Sequence, residues 1–191
     1  MELQKIQITK QGTLNATYKD DDGNVVQFQG ANIVHKDMKQ AMQALIPHLA
    51  LITEQREAWN KNLAKLREQR ISDEGDNVYK RMNVDSLTFT NEGNRVSITG
   101  TRILMKAGVI TVASPSVGLD DKEDYKNVDE LSLDIEAVKY EATEYINERK
   151  WGVKEASLDF RDVDPFKAEA GDVPESDAAP KKRGRKPKKV A

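Results

Sequence analysis

The residues best suited to chemistry crowd the C-terminal end of this sequence. Lys181, Lys182, Arg183, Arg185, Lys186, Lys188 and Lys189 leave only Gly184 and Pro187 uncharged between positions 181 and 189. Residues 1–170 carry 23 Lys and Arg against 29 Asp and Glu, whereas residues 171–191 carry 7 against 3. The formal net charge of −2 therefore conceals an acidic body joined to a cationic arm. Such an arm draws polyanions by releasing their condensed counterions, and nucleic acid is the commonest polyanion in a cell. The same composition also suits a nuclear-targeting signal or a solubilising tail.

A second group of candidates lies on strand-like segments. Lys5, Lys10, Arg95 and Arg102 interrupt apolar alternation, with Tyr18 and Phe89 nearby in sequence as stacking surfaces. A sheet face that mixes cations and aromatics can hold a single strand through phosphate attraction and base stacking. The plainer reading puts Tyr18 and Phe89 in the core and the cations on a solvated face.

Other chemistries find no template. His35 and His48 stand thirteen residues apart in a chain without Cys, a poor basis for a metal site. Asp20-Asp21-Asp22-Gly23 does not make a calcium loop, since counting back from Gly23 puts Tyr18 at the first ligand position and Gln29 at the twelfth. No phosphate-cradling Gly-rich loop, Gly-x-Ser-x-Gly elbow or placed Ser-His-Asp set is present. The chain reads as non-enzymatic, without cofactor or metal. The absence of Cys and of an apolar leader in MELQKIQITK suits a reducing cytoplasm. The apolar run from Ala44 to Ile52 contains Pro47 and His48 and is too short to span a bilayer.

The elements that must position these residues follow from periodicity. Ile6 and Ile8, then Leu14, Ala16 and Tyr18, then Val25, Val26 and Phe28 mark a three-stranded meander over about 4–34, with Asp21-Asp22-Gly23-Asn24 as a turn. Met38, Ala41, Met42, Leu45, Ile46 and Leu49 change the period to that of a helix, which Pro47 should kink or restart. A second helix is expected within 54–81, with Trp59, Leu63 and Leu66 on one face. Strands return at Leu87 and Phe89, turn at Asn91-Glu92-Gly93-Asn94, and continue at Val96 and Ile98. A further strand or two should cover Ile103 to Val112. Leu131, Ile135, Val138, Ala142, Tyr145 and Ile146 define a long amphipathic helix starting near Asn127 or Asp129.

The expected architecture is α+β, with antiparallel meander sheets packed on helices over 1–152, an acidic linker over 153–180 and the basic tail over 181–191. Ile6-Gln7-Ile8-Thr9 through Gly12 parallels Leu87-Thr88-Phe89-Thr90 through Gly93. That parallel suggests a duplicated strand-strand-strand-helix unit; alternatively, two unrelated meanders share a pattern that all meanders share.

Several short stretches resemble known families. Arg183-Gly184-Arg185 with Pro187 resembles an AT-hook, whose extended Arg-Gly-Arg core enters the narrow A·T minor groove. Here Lys186 separates Arg185 from the proline, which weakens the implied base preference and leaves phosphate attraction intact. The paired sheet-plus-helix units resemble, in outline, the whirly and PUR folds that bind single-stranded DNA. Glu155 to Phe160, through Leu158 and Phe160, resembles the peptide that docks on bacterial sliding clamps. Val34-His35-Lys36-Asp37-Met38 and Pro47-His48-Leu49 look like uncharacterised proteins encoded by phages and prophages of gut bacteria. These resemblances imply DNA binding, single strands favoured, in a bacterial host cytoplasm, with a sliding clamp or other replication protein as a partner and oligomers allowed. The rival expectation is a regulatory or interaction protein whose acidic body binds a protein partner.

Overall fold

Alternation and turn chemistry build the first half of the sheet. Strands β1 (Glu2–Ile8), β2 (Thr13–Lys19) and β3 (Val25–Ile33) form the expected meander. In the β2–β3 turn, the Asp20 carboxylate accepts from the backbone N–H groups of Asp22 (3.0 Å) and Asn24 (2.8 Å), while Gly23 takes φ 83°. Those bonds, chiefly from Asn24, hold the Asp20 carboxyl below its ordinary range. The computed structural model describes residues 1–71, 77–106, 108–120 and 122–152, all within the unit Met1–Lys154. The expected linker and tail lie outside the described residues.

The second half comprises β4 (Met82–Thr90), β5 (Arg95–Leu104), β6 (Gly108–Ala113) and the short β7 (Val117–Gly118). One expectation is corrected here: β5 runs unbroken through Ile103, so Val96, Ile98 and Ile103 share a strand. Gly100 does not turn the chain but stays in the ladder opposite Val84 and Val112. A Cβ there would strike the Asn83 carbonyl and the Leu49 side chain, so its smallness serves close packing of a helix on the sheet.

All pairings are antiparallel, in the order β3-β2-β1-β4-β5-β6, and β7 pairs with the first residues of β5. The two meanders meet at β1 and β4, where Ile6 faces Leu87, Lys5 faces Thr88 and Gln7 faces Ser86. The residues matched by the sequence parallel, Ile6 and Leu87, are thus the pair at the centre of the sheet. The strands follow a local dyad at that pair; the helices do not.

The first meander is followed by α1 (Lys36–Ala44) and α2 (Ile46–Ile52), broken where Pro47 opens the second. His35 caps α1, its Nδ1 accepting from Asp37 N–H at 3.3 Å. The second helix expected within 54–81 is replaced, among the described residues, by shorter pieces, and the loop expected around 73–76 lies outside the described residues. A 3₁₀ turn at Arg56–Ala58, α3 (Leu63–Glu68) and α4 (Val78–Arg81) occupy the described part of that stretch. The chain takes positive φ at Glu54 (50°) and Asn60 (57°), which ends helical propagation on each side of Trp59. Trp59 is 71% exposed, while Leu63 and Leu66 are buried from α3. The second meander is followed by α5 (Val128–Asn147), with Asn127 at its N-cap position and Asp129 and Glu130 complementing the positive end of its dipole.

The helices cover one face of the sheet. Ile6, Leu14, Leu87 and Ile98 from the strands meet Met38, Leu49, Leu131 and Ile135 from the helices in one core. Each such side chain contributes about 1.5–3 kcal/mol by leaving water. The architecture is α+β, and among the described residues no helix is long and apolar enough to cross a membrane.

Candidate nucleic-acid interface

Period-two alternation that buries one set of side chains leaves the other set on a face that no helix among the described residues covers. The strand register lines these up in rows across the sheet. One row runs Gln27, Thr17, Lys5, Thr88, Ser97 from β3 to β5. The next runs Gln29, Asn15, Gln7, Ser86, Thr99, Ala113 from β3 to β6. A third, shorter row joins Asn83, Thr101 and Thr111. Two shallow depressions of about 220 and 590 Å³ adjoin at Gln7, the first around Asn15, Thr17 and Gln29, the second around Lys10, Ser86 and Thr101.

The chemistry of this face is amide and hydroxyl. Each Gln or Asn offers two donors and an acceptor, and each Thr or Ser offers one donor and two lone pairs. Lys5 is the single charged residue in the two long rows, and neither row holds an acid. Two carboxylates lie off these rows: Glu2 sits beside Lys19 at 4.0 Å, and Asp85, at a bulge in β4, accepts from Asn83 at 2.7 Å and lines the larger depression together with Lys10.

The candidate cations separate. Lys5 stands mid-row and Lys10 lies in the β1–β2 turn beside the larger depression. Arg95 reaches the same face at its far edge, where its guanidinium is engaged by Asp124 (2.9 Å) and the Ser116 carbonyl (2.7 Å). Arg102 does not belong with them. It shares the helix-side face with Ile98 and Gly100, where it holds both oxygens of buried Glu57 (2.6 and 2.8 Å) and bonds Gln55. Tyr18 and Phe89 also lie on the covered side, Phe89 pairing with Val96 over the core and Tyr18 packed against it. The stacking surface expected from those two rings is therefore not formed. Lys181, Lys182, Arg183, Arg185, Lys186, Lys188 and Lys189, and the clamp-like stretch at 155–160, lie outside the described residues.

A second polar cluster, unforeseen in its partners, lies under the helices. His48 is fully buried, with Nδ1 3.0 Å from the Tyr125 hydroxyl and Nε2 3.1 Å from Asp134 Oδ2. Arg67 donates to the same oxygen at 2.7 Å. Only one tautomer satisfies all of these contacts for a neutral ring: Nε2–H donates to the carboxylate and Nδ1 accepts from the hydroxyl. Burial pushes the Tyr125 hydroxyl up to about 12, which keeps its proton available for that bond. The cluster joins α2, α3, α5 and the Tyr125 loop, with His48 fully buried at its inner end and Arg67 partly exposed at its outer end.

Neither the amide face nor the His48 cluster has a local motif. The face was signalled by the Gln, Asn and Thr residues that alternate with apolar ones. The cluster was signalled only by a His inside an apolar helix, which requires partners that sequence does not identify. No family model, curated protein or solved structure matches this chain.

Proposed function

We propose that the protein is a non-enzymatic DNA-binding protein in which the basic tail supplies attraction and the open sheet face supplies contact. The observation that supports this reading is the exclusion of acids from the two long rows of a domain otherwise rich in them. A phosphodiester chain approaching such a domain is repelled from the acidic surfaces and tolerated on this one. Amides and hydroxyls there would bond sugar, phosphate and base edges, the contacts that set register on a nucleic acid. Because Tyr18 and Phe89 face the core, the face argues for hydrogen-bonded contact rather than stacking, and it gives single strands no stacking advantage over duplex. We extend this reading to phage or mobile-element DNA metabolism, on the resemblance of Val34 to Met38 and Pro47 to Leu49 to phage-encoded proteins.

Fluorescence-anisotropy titrations with labelled oligonucleotides test it on the full chain and on a chain ending at Pro180. Full-length binding should weaken with salt at a log–log slope of about −5 to −6, as expected when about seven cations meet phosphate. The truncated chain should lose most of that slope and much of the affinity. Equal affinity for both chains, or curves indifferent to salt, would end the reading. The second reading, an interaction protein, is favoured by one observation: exposed apolar side chains cluster on the β5–β6 hairpin.

A further inference from the structure

The two outer strands of the sheet are protected very differently. On β3, the register shifts between Thr13/Ile33 and Asn15/Gln29, so extra residues of β3 bulge at Gly30 to Asn32. At its end Val34 bridges to Trp151, and Gly152 N–H donates to the Ile33 carbonyl at 2.9 Å. A bulge and a covering segment are the usual means of blunting a sheet edge. On β6 there is no register shift, no Pro and no charge, and no described strand pairs with its outer side. Val109 and Ile110 are exposed there, next to exposed Ile103 and Met105.

We propose that two copies of this chain join through β6, antiparallel, about a dyad at Thr111. Ser114 N–H donates to the Ile98 carbonyl at 2.8 Å. Alternation along the ladder then turns the backbone groups of Val112 and Ile110 toward β5, and those of Val109, Thr111 and Ala113 outward. A dyad at Thr111 pairs Thr111 with the partner's Thr111 and Val109 with the partner's Ala113. This makes about six new backbone hydrogen bonds. On the helix side Ile110 meets the partner's Val112, and on the open side Val109 is covered. No like charges face each other, because the strand carries none, and a surface that must fit itself is what a two-fold interface requires. The row Asn83, Thr101, Thr111 then continues into its counterpart, so the two open faces become one.

The chain contains no Cys, so a single introduced thiol reports the dyad without background. The pairing sets the two Thr111 Cα atoms about 5.5 Å apart, inside the range of about 4.4–6.8 Å for a disulfide. Under mild oxidation full-length Thr111→Cys should form a covalent dimer at least tenfold faster than Val25→Cys on the other edge. Sedimentation equilibrium should show the natural chain as a dimer at micromolar concentration. Thr111→Lys and Thr111→Asp should each be monomeric, and their equimolar mixture should recover the dimer. Equal crosslinking rates at the two positions, a monomeric natural chain, or a Thr111→Lys variant that keeps the dimer mass would each overturn the proposal. Should a charged variant fail to fold by circular dichroism, the crosslinking rates decide. None of these readouts involves DNA, so they stand or fall apart from the function proposed above.

Discussion

The two faces of the sheet handle polar groups in opposite ways. Beneath the helices, charges come with fixed partners: Arg102 with Glu57, and Arg67 with Asp134, whose carboxylate also meets His48. On the open face, Gln, Asn, Thr and Ser line rows in which Lys5 is the sole charge. Desolvation explains the difference. A buried ion must have its counter-ion in place, because leaving it alone costs several kcal/mol. An exposed amide trades one partner for another at little net cost, so water can be replaced by a ligand. The covered face is therefore committed, and the open face is available.

The sharpest way to break this contrast is Arg102→Ala. Glu57 is only 4% exposed and would keep, among the described residues, only Arg81 at 4.0 Å, so losing the Arg102 guanidinium should destabilise the fold by about 3 kcal/mol in denaturant titrations. Replacing the pair with apolar residues, Arg102→Met with Glu57→Leu, should recover most of that loss. Next in size is Asp134→Ala, which leaves the buried His48 Nε2–H without its acceptor and frees Arg67. About 2–3 kcal/mol is expected, by the same titration. If either substitution proved silent, the covered face would not be committed in the sense argued here.

These particular residues show what was legible and what was not. The meanders could be read because Asp20, Gly23 and the alternating strands encode them locally, and α5 because its apolar stripe recurs over five turns. Arg102 falls on the open face only if one strand ends near Ile98 and another begins near Ile103; with β5 continuous, period two puts Arg102 on the face of Ile98 and Gly100. For Phe89 the plainer of the two readings holds: it lies two residues from Leu87 and so shares its face in the core. The partners of His48 lie 77 and 86 residues away in sequence, and a tertiary contact of that range has no local signature. The open face was half legible: alternation says which residues share a face, while only packing decides which face the helices take.

Alkaline titration gives a smaller test of the covered side. The Tyr125 hydroxyl is raised by burial to about 12, above its ordinary 10. In the unfolded chain it ionises first, so the stability it contributes is complete below pH 10 and is lost as the pH rises toward 12. The melting temperature should fall across that window, and Tyr125→Phe should flatten the fall, measured by circular dichroism. Tyr125→Phe should also cost about 1 kcal/mol at neutral pH, since His48 Nδ1 loses its donor. An unchanged alkaline slope would mean that the hydroxyl is better solvated than its position under the helices implies.

The smallest expected effect on stability comes from the open face, and it is the most telling for function. Gln7→Ala combined with Asn15→Ala removes two facing amides from the centre of the longer row. Neither side chain is buried, so the unfolding free energy should change by no more than about 0.5 kcal/mol. Oligonucleotide affinity should nevertheless drop about tenfold, the equivalent of one or two lost hydrogen bonds. Because both substitutions are neutral in charge, the salt slope should stay as it was, which separates contact on the sheet from attraction by the tail. A variant that kept full affinity would assign binding to the tail alone. The uncovered face would then have to be explained by what a second sheet edge, rather than a nucleic acid, requires of it.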